Sequence, residues 1–448
     1  MADTMSSYNI RDFGAIGDGE SLDSPAIQAA IDFCCSKGGG KVICPAGNYS
    51  IGTIVLKDDV DLHLENGAVL KGSVSRKDYI KSDDGKEYLV YAKNAENISI
   101  SGLGCIDGNG EAFFIEAPGE SHKKAAEWRP RALVHFVLCK NIFAENITLS
   151  NPPCYTFWPL GCDMIKVAGI RIIADPRGPN TDGIDIDCCS DVTISDCIVD
   201  CGDDAIAIKS DSGRLGIDKD CFDIVVDNCI LSSTCSGIRL GYEGDGKIKN
   251  CYFNNIIIKN TFLGIDFLVV HHLGEEFYIE RGSQIEDISF SNIRIEAERP
   301  IHFWVGENEK IKASIRRVFF RGVSMKCQCG VALFGASKRR ISDLEFQDVR
   351  IDFEGNMDKT MSEVPPETSC WGHPRRQHGI PYGLYARNVD NIKLFNVTMS
   401  WEKAYGEWQN YSMFENVSNA KLYYPVANNN ELEIVKQNNS SQIEVYGK

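Results

Sequence analysis

The sequence has no basic stripe. Aspartate and glutamate together number 63 against 47 lysines and arginines, giving a net charge of −16, and the one compact basic run, Lys338-Arg339-Arg340, is too short to follow a phosphate backbone. Nucleic acid is therefore not an expected partner. No apolar run approaches the ~18 residues of a membrane span, and the opening Met1-Ala2-Asp3-Thr4-Met5-Ser6-Ser7-Tyr8 carries neither a basic nor an apolar leader segment. No membrane partner is expected, and the expected location is the cytoplasm.

Metal-ligand spacings are missing as well. Adjacent Cys34-Cys35 and Cys188-Cys189 do not form a C-x-x-C pattern, and Cys327-Gln328-Cys329 lacks partners at ligand distance. Neither a metal nor a cofactor is expected. The 18 cysteines, in a long chain without a leader, read as reduced, small core residues rather than a disulfide framework.

What is present is a repeat. Between Asn97 and about Tyr424 the chain returns to alternating apolar and variable residues around an Asn or Asp, as in Val192-Thr193-Ile194-Ser195-Asp196-Cys197-Ile198-Val199 and Ile392-Lys393-Leu394-Phe395-Asn396-Val397-Thr398-Met399. Alternation over such short runs is a strand signal, and the Asn or Asp marks a bend within a coil. From Asp196 through Asn228 and Asn260 to Asn292 the numbering advances in steps of 32 residues, the scale of a solenoid. A coil can bury its apolar face only against its neighbours. The expectation is an all-β chain, a right-handed parallel β-helix, forming one domain over 1–448. Its parts would be an N-terminal cap and first coils (8–95), a main solenoid (96–425) with a loop excursion near 355–380, and a C-terminal tail (426–448). Asn146, Asp196, Asn228, Asn260, Asn292, Asp348 and Asn396 would stack as a ladder. A short capping helix is predicted from Ser24, with Ser24 as N-cap, Pro25 at the first helical position and Gly38 to Gly40 ending it.

Four strands align on a small residue followed by alternation: Asp182-Gly183-Ile184-Asp185, Asp204-Ala205-Ile206-Ala207, Ser236-Gly237-Ile238-Arg239 and Leu263-Gly264-Ile265-Asp266. In register, Asp185, Ala207, Arg239 and Asp266 form an outward column that lines a surface. Asp182 and Asp204 then occupy matching positions on successive coils, with backbones about 4.8 Å apart. With Asp203 they make three acids in a small volume, where mutual repulsion can keep one protonated. Glycoside hydrolysis needs this combination: a carboxylic acid to protonate the leaving oxygen and a carboxylate to activate water or attack the sugar. The competing reading takes these acids as solvated turn residues or partners of Lys209. Parity adds a condition, because a straight strand through Asp204 would point it inward with Ile206, so a bend must re-aim it.

At these residues the chain resembles glycoside hydrolase family 28, the polygalacturonases and rhamnogalacturonan hydrolases. The resemblance rests on Asn180-Thr181-Asp182-Gly183, Gly202-Asp203-Asp204-Ala205-Ile206-Ala207-Ile208-Lys209-Ser210, Asp12-Phe13-Gly14-Ala15-Ile16-Gly17-Asp18-Gly19 and Ile106-Asp107-Gly108-Asn109-Gly110. It implies that Asp203 is the general acid, that Asp182 and Asp204 hold the attacking water, that the anomeric carbon inverts, and that the partner is a plant-type, pectin-related carbohydrate. Two family features are absent. Cys235-Ser236-Gly237 stands where polygalacturonases have Gly-His-Gly, and Asp266-Phe267-Leu268 where they have Arg-Ile-Lys.

An Asp in place of a groove Arg turns a charge-assisted bond into repulsion toward a uronate. The expectation is altered specificity, with Asp266 accepting bonds from sugar hydroxyls unless Arg239 restores a cation. Further binding candidates are Asn180, Lys209, Ser236, the pair His271-His272, His302, Trp304, Trp371, His373 and Tyr382, whose aromatic members can stack on pyranose rings. Two other functions stay open: a β-helix lyase or epimerase, which needs a cation and a base beside a uronate, and a carbohydrate-binding protein without turnover. The oligomeric state is open.

Overall fold

Asparagine and aspartate turn the chain. In the computed structural model, which describes residues 6–269, 281–306, 312–354, 382–401, 410–428 and 433–447, Asn97, Asn141, Asp196, Asn228, Asn292, Asp348 and Asn396 all have positive φ between 52° and 58°. These are the residue types that enter the left-handed region most readily after glycine, because a short polar side chain bonds locally. At Asp196 and Asn228 one strand ends and the next begins two residues on, whereas Asn97, Asn141, Asn292, Asp348 and Asn396 lie within continuous strands.

The strands between corners pair in parallel with strands of the preceding and following coil. Ala132–Val137 lies between Tyr88–Lys93 and Tyr155–Leu160. Lys140–Glu145 lies between Glu96–Gly102 and Asp163–Ala168, and Thr148–Ser150 between Cys105–Asp107 and Arg171–Ile173. The architecture is the expected all-β, right-handed parallel β-helix, the hand that the twist of L-residue strands favours for parallel crossovers. Two compact units are present: Met1–Ala207 with Asp227–Thr234, and Ile208–Val226 with Cys235–Lys448.

In the first unit one inward column is aliphatic: Ile98, Ile142, Ile165 and Val192 follow one another in register, beside the buried rings of Phe136 and Phe157. In the second they include phenylalanines. Phe253, Phe290, Phe320 and Phe346 stack with centroids 4.7–4.9 Å apart and nearly parallel planes, a spacing imposed by the strand separation. Phe290 and Phe320 are thus each covered on both faces by a ring of the coil before and a ring of the coil after.

The expected corner ladder forms in part. Asn228 donates to Asp196 at 2.5 Å and Asn396 to Asp348 at 2.8 Å, and a rung outside the expected set joins Asn141 to Asn97 at 2.7 Å. By register Gly169 stands between Asn146 and Asp196, and Gly322 between Asn292 and Asp348. Asn292, however, bonds Asn254 at 3.1 Å rather than stacking on Asn260. Ile256 stands opposite Ile293 and the register shifts between Ile258 and Thr261, so that coil is longer than 32 residues.

The helix forms at Ser24–Ser36, but its N-cap is Asp23. The Ser24 hydroxyl accepts instead from Gly52 N at 2.6 Å, and the Asp23 carboxylate is taken by the N–H groups of Ile16 and Gly17. Ile27, Ala30, Ile31 and Cys34 are buried where the helix packs against the first strands. Among the described residues every cysteine is a free thiol, and all but Cys35, Cys105 and Cys235 are buried. No described helix is long and apolar enough to cross a membrane.

Candidate active site

In the first unit, Gly183 N donates to Asp204 O at 2.8 Å and Ile184 N to Ala205 O at 3.0 Å, while Thr156 N donates to Asp182 O at 3.0 Å. In a parallel ladder these bonds put Asp182 opposite Asp204 on the next coil. The matching positions expected from sequence are therefore formed. The parity condition is met too: the chain bends at Gly202, Asp203 and Ala205, and the strand proper begins only at Ile206. Asp182 and Asp204 are 4% and 2% exposed, and Asp203 is half-buried.

Side chains hold this turn from several directions. Gly202 N donates to the Thr181 hydroxyl at 3.2 Å, which itself donates to Gly178 O at 2.9 Å. The Asp203 carbonyl accepts from the Cys201 thiol at 3.2 Å and from the Ser233 hydroxyl. Gly202 admits no side chain, since a Cβ would stand 2.5 Å from Asp175 O and 2.6 Å from Thr181 Oγ1. Burial first, then the charges of Asp182, Asp203 and Asp204, push the Cys201 thiol far above its ordinary range. One buried thiol thus feels all three carboxylates.

Sequence reasoning missed the arm between Asp107 and Ala132. It leaves the coil and returns as a small hairpin, Phe114–Ile115 against Lys124–Ala125, and it lies on the acid-bearing turns. His122 Nε2 is 2.9 Å from Gly202 O. Lys123 pairs with Asp175 at 2.7 Å and Glu116 at 3.1 Å, and its N–H donates to Arg177 O at 2.8 Å. Arg129 donates to Pro153 O, Pro179 O and, at 2.9 Å, to Asn180 Oδ1. Asn180 is thereby a bonded corner residue with φ 55°. Burial disfavours the Arg131 charge, but Cys154, Tyr155, Tyr88 and Asp182 more than offset this. The available signal was a 24-residue gap between strands Cys105–Asp107 and Ala132–Val137, carrying one histidine and four cations near its end.

The outward column of the first unit is not open. By register it runs Tyr91, His135, Trp158 and then Asp185, but Asp185 is fully buried. His135 stacks on Tyr88 at 4.3 Å and lies 4.2 Å from Trp158.

In the second unit, Arg239, Asp266 and His302 occupy one column on successive coils. Arg239 Nε donates to Asp266 Oδ2 at 3.0 Å and its Nη2 to the Ser236 hydroxyl at 2.8 Å. His302 Nδ1 lies 2.7 Å from Asp266 Oδ1. Asp266 is 0% exposed, which corrects the expectation that it accepts bonds from sugar hydroxyls: its two oxygens face Arg239 and His302. Lys209 is buried with its ammonium 3.4 Å from Glu243. Trp304 packs in an apolar cluster with Leu268, Ala332, Phe334 and Tyr385, and half-buried Tyr382 leans on that cluster. Trp304 is therefore a packing residue rather than an open stacking face. His271, His272, Trp371, His373 and the excursion at 355–380 lie outside the described residues.

Residues 34–370 match the family described as glycosyl hydrolases family 28. A probable polygalacturonase of Vitis vinifera is 30% identical over 302 residues, 63% of this chain and 59% of that protein. Polygalacturonase QRT2 of Arabidopsis thaliana is 27% identical over 380 residues, 78% of this chain and 83% of that one. The chain thus spans about three-fifths of the grape relative's length. Among solved structures, an exopolygalacturonase of Thermotoga maritima aligns at 23% identity with TM-score 0.63, covering 78% of this chain and 87% of that chain. The family 28 exopolygalacturonase of Yersinia enterocolitica aligns at 19% identity with TM-score 0.71, covering 93% and 78%. At these identities the structures speak for the fold.

Proposed function

The chain belongs to glycosyl hydrolase family 28, and from that premise we propose that it hydrolyses an O-glycosidic bond of a pectin-type, uronate-bearing saccharide with inversion. Asp203, half-buried on its bent turn, protonates the leaving glycosidic oxygen. Asp182 and Asp204, facing each other on adjacent coils, hold a water and take its proton as it attacks the anomeric carbon from the opposite side. One proton is delivered and one removed, so the site is restored after proton exchange with solvent.

The observation that carries this reading is the pairing of Asp182 with Asp204 next to Asp203. Asp182 and Asp204 are nearly buried on neighbouring coils, and Asp203 precedes Asp204 on the bent turn, so a proton donor and a water-holding pair come from one short stretch of the site.

The choice of a uronate over a neutral sugar rests on Asp266. A bare carboxylate there would repel a substrate carboxylate, which motivated the expectation of altered specificity. With Arg239 bonded to it at 3.0 Å, the charge of Asp266 is offset within the second unit, and the argument for exclusion loses its force. The names of the curated relatives favour the same substrate class.

The test is digestion of oligogalacturonides and of neutral plant oligosaccharides, following products by mass spectrometry and the first-formed anomer by NMR. Turnover of oligogalacturonides with inversion, abolished in Asp203→Asn, is expected. Turnover of neutral sugars alone, or an unsaturated product absorbing in the ultraviolet, overturns the proposal.

A further inference from the structure

Resting on that assignment of Asp203, we infer that His122 is a positioning residue for the acid turn, so that the arm between Asp107 and Ala132 sets the geometry of the proton donor. The peptide between Gly202 and Asp203 is the last rigid plane before the Asp203 side chain. Its carbonyl oxygen faces two side chains: His122 Nε2 at 2.9 Å and the Thr234 hydroxyl at 2.9 Å. The Thr234 hydroxyl has one proton to share between Gly202 O and Pro176 O, the latter at 2.7 Å, so the ring N–H of His122 is the one donor given to Gly202 O alone. The next carbonyl, that of Asp203, is held by Cys201 and Ser233. The two peptide planes flanking the Asp203 Cα are thus both fixed by side chains, and rotation there would break at least one bond.

His122 donates in either protonation state. Bonding to a carbonyl requires a proton on Nε2, and the Ser121 hydroxyl, 3.0 Å from Nδ1, can donate to that nitrogen when it is bare or accept from it when it is protonated. The anchor also has independent support. The neighbouring Lys123 is tied to Asp175 and Glu116, and Arg177 reaches Glu116 at 3.0 Å and Ala117 O at 3.3 Å. Arg129 fixes the far end of the arm at Asn180, two residues before Asp182. The arm therefore touches both acid-bearing turns at fixed points. His122 is the contact next to the acid itself.

A displacement of about 1 Å in a reacting group is enough to cost roughly a hundredfold in rate. The expected result for His122→Ala is a kcat lowered about tenfold to a hundredfold with KM changed less than threefold, on the reading that positioning acts on the transition state alone. His122→Gln, whose amide can donate to the same carbonyl, is expected to recover kcat to within a few-fold of the parent. Thr234→Val, which removes a hydroxyl shared between Gly202 O and Pro176 O, should show the same split at smaller size.

Asp203→Asn is measured beside them. If it keeps full turnover, the assignment of the acid fails. If it is inactive while His122→Ala retains parental kcat, or while His122→Ala and His122→Gln lose kcat equally, the inference about His122 is overturned and the functional proposal stands. Thermal melts of each variant separate a loss of fold from a loss of geometry, and a kcat loss that scales with lost folded protein also overturns it.

Discussion

Asp182 and Asp204 face each other across one rung of a parallel ladder, with Gly183 N donating to Asp204 O at 2.8 Å. Each carboxylate is at most 4% exposed, so each has lost most of its hydration beside a like charge. The attraction between Asp182 and Arg131 offsets part of that cost. Asp182→Asn and Asp204→Asn are expected to raise stability by about 1 kcal/mol each while lowering kcat at least a thousandfold. Denaturant unfolding and oligogalacturonide turnover measure the two sides. A stability loss in both variants would count against strain at this pair.

Arg239 and Asp266 make a different kind of pair, opposite in charge and almost wholly buried. Removing one partner leaves an uncompensated charge, costing about 3–5 kcal/mol, whereas exchanging both for neutral residues costs less. The series Arg239→Met, Asp266→Asn and the double variant should give a double-mutant cycle with strong positive coupling. Additive losses would show that the pair is not a unit.

The ties of the arm titrate. Burial pushes the Asp175 carboxyl up, but the Lys123 hydrogen bond, the Arg177 N–H and the two cations outweigh it and hold the group below its ordinary range. The Lys123 hydrogen bond, ahead of any other cause, lowers Glu116 as well. A depressed carboxylate contributes stability above its unfolded pKa and loses it as pH falls through the folded value. The arm should therefore stay closed at neutral pH and loosen in acid, below about 4. Hydrogen exchange of 116–131 against pH checks this, and acid-independent protection would contradict it.

In the second unit, Phe320 stacks between Phe290 at 4.9 Å and Phe346 at 4.7 Å. Truncation opens a cavity that adjacent coils cannot close without breaking strand pairing. Phe320→Ala should cost about 3–5 kcal/mol, read by denaturant unfolding. A loss below about 1 kcal/mol would mean that the column relaxes around the gap.

Much was legible because a parallel coil repeats its own chemistry. Period-two alternation gave the strands, Asn and Asp gave the corners, and the small residue after Asp182 and Asp204 aligned two coils correctly. A bend beside Asp204 was also required by parity before it was seen. Where coil length changes, the same reasoning slips: a constant step of 32 residues set Asn292 on Asn260, and the longer coil instead brings it to Asn254.

What sequence alone determined was the β-helix, the family motifs and the placing of Asp182 and Asp204 on matching positions of successive coils, because all of these depend on residues close in the chain or one repeat apart. What tertiary structure decided was how those acids and the groove residues are partnered. Asp266 read as an open carboxylate, and is in fact enclosed by Arg239 and His302. His122, distant from Gly202 by 80 residues, reaches its carbonyl only because the arm folds back. Local pattern fixes which way a strand residue points, but burial and partnership come from chain that returns from elsewhere, and no periodicity encodes that.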